Sequence, residues 1–231
     1  MKLTYNGKTK DVYTLDDGNI LLKFKDTATG KDGVFDPGEN AVALTIDGLG
    51  RECLALSRHF FTLLADAGIA THYINSNLDD STMIVKPVKM FGKGIEVVCR
   101  FRAVGSFLRR YGDYVADGAP LDGLVEFTLK NDDKGDPPIT KESLVMLNIM
   151  SAAQYDEIVA LTKKVGRIIA DDLAKKGLEL YDIKFEFGID NDGQALLADE
   201  ISGGCMRAYK DGVWVQPMDL NKILNVATNP R

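Results

Sequence analysis

The stretch from Tyr181 to Arg207, YDIKFEFGIDNDGQALLADEISGGCMR, constrains this chain more than any other. Polar and apolar residues alternate with period two from Tyr181 to Phe187, so in a strand Asp182, Lys184 and Glu186 share one face and Ile183, Phe185 and Phe187 the other. One face is suited to a core and the other carries charge. Asp190-Asn191-Asp192-Gly193 supplies the positive-φ and Asx conformations of a tight turn, and Gln194 to Ile201 reads as the returning strand. Folding back about that turn sets Asp199 within about two positions of Glu186. Two carboxylates beside a lysine suit Mg²⁺ and a polyphosphate, because Mg²⁺ takes one or two carboxylates plus substrate phosphates and a lysine meets phosphate as a point charge. The solvated face of an antiparallel strand shows the same alternation, and the pattern alone leaves both readings open.

At 231 residues and 45% hydrophobic, the chain has material for one large domain or two closely joined lobes. Its net charge of −6 argues against a general nucleic-acid or anionic-membrane binder, since affinity for polyanions comes from clustered Lys and Arg. No helix-turn-helix, zinc-finger pattern or basic stripe is present. Cys53, Cys99 and Cys205 are far apart with no CxxC pair, and His59 and His72 are too few for a multi-histidine site. Their number and spacing fit a reducing cytosol, and neither an apolar leader nor a run long enough to span a membrane occurs, so a cytoplasmic protein is expected.

The N-terminal segment reads as short strands, and Gly7-Lys8-Thr9-Lys10 does not make a P-loop. The earlier glycine of that motif would fall at Lys2, and a strand pattern follows instead of a helix. What remains is a glycine that admits a ligand to the backbone, with Lys8 and Lys10 two apart on one strand face, or a plain basic N-terminus. Thr27 to Asn40 is rich in Gly, Asp and Thr and reads as a mobile loop. A helix reads from about Gly48 to Ala67, stopped by Gly68, with His59 beside its apolar stripe as a structural residue. Strands at Thr71–Asn75 and Thr82–Pro87 lead to Lys89-Met90-Phe91-Gly92-Lys93-Gly94, a flexible link or a hinge against a nucleotide base.

Ile95 to Tyr111 reads as a strand with Arg100 and Arg102 on one face, then a short helix opened by Gly105-Ser106 with Ser106 as N-cap. An arginine fork beside a helix start holds phosphate well, though a charged strand with an ordinary serine cap has the same sequence. Arg109 and Arg110 read as the exposed side of that helix. Leu124 to Lys130 reads as a strand closed by the acidic, proline-ended loop Asn131 to Pro138. Thr140 caps one helix, and Ser151 with Gln154 makes a capping box for the next, whose apolar positions Ile158, Leu161, Val165, Ile168, Ile169 and Leu173 are core. A short helix from about Met218 to Val226 closes the chain.

These stretches together resemble the phosphoribosylaminoimidazole-succinocarboxamide synthase (SAICAR synthetase) family over nearly the whole chain. The family's N-terminal pattern is met by Tyr5, Gly7, Lys8 and Lys10, and its arginine and glycine-serine segment by Arg100, Arg102, Ala103, Gly105 and Ser106. Val125-Glu126-Phe127, Lys130, Asn131-Asp132 and Gly135-Asp136-Pro137 follow in order, then Asp182, Lys184, Glu186, Phe187 and Gly188, then Asp199-Glu200, Ser202 and Arg207. The resemblance implies an α+β fold of two lobes akin to ATP-grasp and kinase-like folds, with largely antiparallel sheets and flanking helices. A β-rich lobe over residues 1–88 would contribute to ATP binding, and residues 89–231 would carry substrate and metal.

The implied reaction is ATP + CAIR + L-aspartate → SAICAR + ADP + phosphate, in purine biosynthesis. By resemblance Lys8 and Lys10 would hold ATP phosphates, Lys89 and Met90 would meet the nucleotide, and Glu186 and Asp199 would bind Mg²⁺. Arg100, Ser106 and Arg207 would grip the 5′-phosphate of CAIR, Asp182 and Lys184 would lie near its ribose and reacting carboxylate, and Lys130 and Asp136 would line the site. A homodimer would be in keeping with the family. The chain departs from the pattern at Gly203-Gly204, where many members have Pro-Asp, and at Phe101, where asparagine is common. The first change is expected to give Arg207 a different partner and to loosen the loop that holds Cys205, whose thiol reads as reactive or as a small buried hydrophobe. A nucleotide binder without catalysis and a phosphotransferase that needs no aspartate are the competing classes.

Overall fold

The computed structural model describes residues 1–36 and 41–226, and its described residues divide into two compact units. The first begins with β1 (Lys2–Asn6), β2 (Lys10–Thr14), β3 (Ile20–Phe24), β4 (Thr27–Lys31), β5 (Val34–Phe35), β6 (Val42–Thr45), α1 (Leu49–Asp66), β7 (Tyr73–Asn77) and β8 (Thr82–Val85). Its main sheet runs β1-β2-β3-β8-β7, and a smaller one runs β5-β4-β6. The small sheet corrects the expected loop at Thr27. Asp32 and Gly33 both take positive φ, 52° and 76°, which is the conformation a two-residue hairpin turn demands. An Asp-Gly pair between the β-formers Thr27 and Thr29 on one side and Val34 and Phe35 on the other is a hairpin signal, and reading Gly and Asp as loop composition passed over it. The end of that segment, 37–40, lies outside the described residues.

Helix α1 starts where the Asp26 carboxylate accepts the backbone N–H of Gly48 at 3.2 Å and of Gly50 at 2.9 Å, an end-cap supplied from a distant loop. It buries Leu54, Leu56, Phe60, Phe61 and Leu64 on one stripe. Gly68, at φ 71°, follows as the stop.

The second unit contains β9 (Lys89–Met90), β10 (Ile95–Arg102), α2 (Ser106–Tyr111), β11 (Pro120–Leu129), α3 (Lys141–Met146), α4 (Ala152–Ala174), β12 (Glu179–Ile189), β13 (Ala195–Ala198), β14 (Met206–Lys210) and β15 (Val213–Trp214). Its sheet runs β11-β10-β12-β14-β15, with β9 and β13 also pairing β12. All its pairings are antiparallel. Strand β12 is the centre: β10 and β9 pair with it along one part of its length or another, as do β14 and β13. The segment expected as a flexible link, Lys89 to Gly94, thus begins as a short strand of this sheet, with Met90 opposite Gly188, and ends as a turn in which Gly94 N–H donates to the Phe91 carbonyl. A Cβ on Gly188 would stand 2.7 Å from Val88, so glycine is what lets β9 lie there.

Helix α4 packs on β10, β11 and β12. Its N-terminus closes the expected capping box, with Ser151 Oγ accepting from Gln154 N and Gln154 Oε1 from Ser151 N. Ile158, Val165, Ile169 and Leu173 are fully buried, and Gly166 removes a side chain where one would meet Cys99 Sγ at 2.9 Å. Ile183, Phe185 and Phe187 are buried with them. One face of β12 is therefore committed to the core, and the other is free for chemistry.

The last segments, Glu200–Cys205 and 215–226, return to the first unit. There α5 (Pro217–Leu224) packs on α1, and Asn221 donates to the Glu52 carbonyl at 2.8 Å. Among the described residues no helix is long and apolar enough to cross a membrane.

Candidate active site

The register of the central sheet assembles the site. Arg100 faces Asp182 across the β10–β12 ladder, Val98 faces Lys184, and Glu96 faces Glu186. Directly opposed residues of an antiparallel pair point to the same side, so this face carries an arginine–aspartate end and a carboxylate–lysine end. The two ends lie four positions apart along the strand, roughly 13 Å.

At the first end Asp182, 3% exposed, accepts from Arg100 NH1 at 2.9 Å and from Arg207 NH1 at 2.9 and 3.2 Å. Arg100 NH2 donates to Ser106 Oγ at 2.9 Å, and Arg100 Nε donates to Glu126. Glu126 also takes Arg110 NH2, at 2.7 Å. Gly105, at φ 55°, makes room for this arrangement. A Cβ there would lie 2.8 Å from Cζ, NH1 and NH2 of Arg207, so the guanidinium rests directly on the glycine.

Three local expectations change here. Ser106 is the first residue of α2 and Gly105 its N-cap, because a backbone at φ 55° and ψ −129° needs glycine. Arg102 leaves the cluster: the β10–β11 register shifts between Arg100 and Arg102, and Arg102 turns to the Gly118 carbonyl at 2.9 Å and to Glu179. Arg110 is half-buried against Glu126 instead of exposed, while Arg109 is exposed as expected.

At the second end Glu186, 6% exposed, accepts from Lys130 Nζ at 2.5 Å, and Lys184 Nζ donates to Glu96 at 2.7 Å. Glu186 opposes Ala198, so Asp199 sits one position beyond it, in a left-handed conformation at φ 59° that an aspartate tolerates. Burial, with the like charge of Asp199, holds the Glu186 carboxyl above its ordinary range despite Lys130 and Lys184. Burial opposes the charge on Lys184, yet Glu96, Glu186 and Asp199 outweigh it and keep the ammonium above its usual range. Lys130 behaves alike through Glu186 and Asp199. Among the described residues no group of three or more His, Cys, Asp or Glu forms a metal cluster.

The Asn131–Pro138 segment folds back on β11, with Thr128 bridged to Pro138 and the Asp136 carboxylate accepting Asn131 N at 2.7 Å. Two acidic residues with no role assigned from sequence, Glu96 and Glu126, hold Lys184 and Arg100. The signal for both was a lone acid inside an apolar strand, IEVVC and LVEFTL, which a buried partner must satisfy.

In the first unit Lys10 is partly buried and paired with Glu200, which also accepts from Ser202 Oγ. Ser202 Oγ in turn accepts Gly204 N at 3.0 Å, and Cys205 Sγ accepts Ser202 N at 3.1 Å. Cys205 is buried inside this turn. The glycine at 203 has a spatial reason: a Cβ would lie 2.7 Å from Pro217 Cβ and 2.8 Å from its Cα. Gly203→Ala is expected to destabilise by about 1–3 kcal/mol through overpacking, read as a lower Tm. An unchanged Tm would show that α5 yields freely.

One face of the second unit's sheet thus carries an arginine–serine cluster at one end and a carboxylate–lysine cluster at the other. The SAICAR synthetase family model matches residues 3–221. The chain is 58% identical over 225 residues to the phosphoribosylaminoimidazole-succinocarboxamide synthase of Clostridium tetani, covering 97% of this chain and 99% of that one. It is similar to the solved synthase of Ehrlichia chaffeensis, with TM-score 0.87, 26% identity and coverage of 99% and 100%. It is also similar to a SAICAR synthetase solved in complex with ADP, with TM-score 0.82, 32% identity and coverage of 95% and 93%. The chain belongs to the SAICAR synthetase family. Its activity is that family's: ATP-dependent ligation of CAIR with L-aspartate to give SAICAR in purine biosynthesis.

Proposed function

We propose that the charged face of β10 and β12 is where this ligation takes place, with CAIR lying along the sheet. The observation that carries the reading is the placement of an arginine–serine cluster and a carboxylate–lysine cluster at opposite ends of one face. Arg100, Ser106 and Arg207 hold the 5′-phosphate of CAIR, since guanidinium forks and a hydroxyl supply directional donors for phosphate oxygens. Asp182 keeps both arginines in place and lies near the ribose. Lys184, midway along the strand, stands by the carboxylate of CAIR, and its surroundings keep it charged.

ATP meets β9 through Lys89 and Met90, with its phosphates toward Glu186, Asp199 and Lys130. In the first unit Lys8 and Lys10 serve the ATP phosphates by the family resemblance. Glu186 and Asp199 suit Mg²⁺: their mutual repulsion, which raises the Glu186 pKa, is what a bound divalent cation relieves. When bound, Mg²⁺ neutralises charge on the transferring phosphoryl group. Attack of the CAIR carboxylate oxygen on the γ-phosphorus releases ADP and forms an acyl phosphate. The amine of L-aspartate then attacks the acyl carbon, losing a proton and expelling phosphate. Lys184 and Lys130 offset the negative charge that both steps gather. We infer a cytoplasmic enzyme, acting as a homodimer, the first supported by its three free thiols.

The test is phosphate release from ATP and Mg²⁺ with CAIR and L-aspartate, each omitted in turn, with the imidazole product followed by absorbance. Release that requires both substrates and matches product is expected. Release with CAIR alone, at the full rate, would replace the ligation course with a phosphotransfer.

A further inference from the structure

Glu126 belongs to no substrate contact in the reading above, yet it is the residue on which two guanidinium groups converge. One carboxylate oxygen takes Arg100 Nε and the other takes Arg110 NH2. Its side chain is 13% exposed and that of Arg100 is 2% exposed. A guanidinium has five N–H donors in a rigid plane. Arg100 uses three, one each toward Glu126, Asp182 and Ser106, so NH1 and NH2 each keep one N–H. Glu126 holds the fork at Nε, and Cζ lies 5.7 Å from the centroid of the Phe107 ring.

We propose that Glu126 is a positioning residue for the phosphate-binding arginine: it fixes Arg100 at Nε, braced from behind by Arg110, so that the NH1–NH2 edge meets the 5′-phosphate. The inference rests on the reading of Arg100, Ser106 and Arg207 as the phosphate grip. Glutamine at 126 keeps the shape but presents an NH2 group to one of two arginine donors, and that guanidinium must turn away.

The experiment compares wild type with Glu126→Gln in three ways: KM and kcat for each substrate, inhibition by inorganic phosphate competing with CAIR, and Tm. KM for CAIR and the inhibition constant of phosphate are expected to rise together by roughly 10- to 100-fold, as when an outer partner of an oriented ligand is lost. The kcat at saturating CAIR and the KM values for ATP and L-aspartate should stay within about threefold of wild type, because Glu126 acts on ground-state holding. A wild-type KM for CAIR, or a loss shared by all three substrates, overturns the proposal and leaves Glu126 a structural ion. If Glu126→Gln does not fold, Glu126→Asp, which keeps the charge but shortens the reach, is measured against the same criteria. Failure of phosphate to compete with CAIR in the wild-type enzyme would overturn the reading of the pocket itself, whatever Glu126 does.

Discussion

Glu186→Gln is expected to lower turnover by about a thousandfold or more, the scale on which loss of one pre-positioned charge-stabilising group acts, while leaving Tm equal to or above wild type. The two effects have opposite signs for one reason. Burial and Asp199 raise the Glu186 pKa, so the ionised carboxylate is less favourable folded than unfolded. Such a group is most compatible with folding below its unfolded pKa and costs stability as pH rises through the folded pKa, and at neutral pH glutamine removes that cost. The carbonyl of the substituted amide still accepts from Lys130, whose partner is thereby kept. What is lost is the charge that would hold Mg²⁺ with Asp199. The measurement is steady-state turnover across a Mg²⁺ titration beside a thermal melt. Wild-type rates at limiting Mg²⁺ would remove Glu186 from the site.

That residue was legible in the sequence for a simple geometric reason. Asp182, Lys184 and Glu186 follow one another at period two, and a tight turn of Asp and Gly residues brings Asp199 back beside them, so adjacency along the chain stood in for adjacency in space. The capping box at Ser151 and the apolar stripe of α4 were legible in the same way, being local. Glu96 and Glu126 had no role in that reading, because their partners are set by register across strands: Lys184 lies 88 residues from Glu96, and Arg100 lies 26 from Glu126. A lone acid in an apolar strand announces that a partner exists without naming it. Arg102 shows the converse. Period two put it beside Arg100, and a register shift, invisible in composition, sent it to Glu179. Gly203 and Gly105 are explained by what lies against them, Pro217 and the Arg207 guanidinium, and neither neighbour is close in sequence.

Asp182→Asn is expected to give the largest loss of stability, because Asp182 is the buried anion shared by the buried Arg100 guanidinium and the partly exposed Arg207. Removing one partner of a buried pair costs about 3–5 kcal/mol, since the remaining charge stays desolvated without compensation. For a chain of this size that corresponds to a fall in Tm of roughly 6–20 °C. The substituted amide keeps one carbonyl oxygen for two guanidinium groups and turns an NH2 group toward one of them, so Arg100 and Arg207 are no longer held together and KM for CAIR should rise as well. A second substitution separates the two consequences. Arg207→Met in the Asp182→Asn background removes one of the two cations that the lost carboxylate served and should recover part of the lost Tm, while KM for CAIR stays high because the phosphate grip is still broken. If the two substitutions instead add without coupling, Asp182 and Arg207 do not act as a pair. Recovery of both stability and CAIR affinity would show that Arg207 is ballast for Asp182 and holds no phosphate.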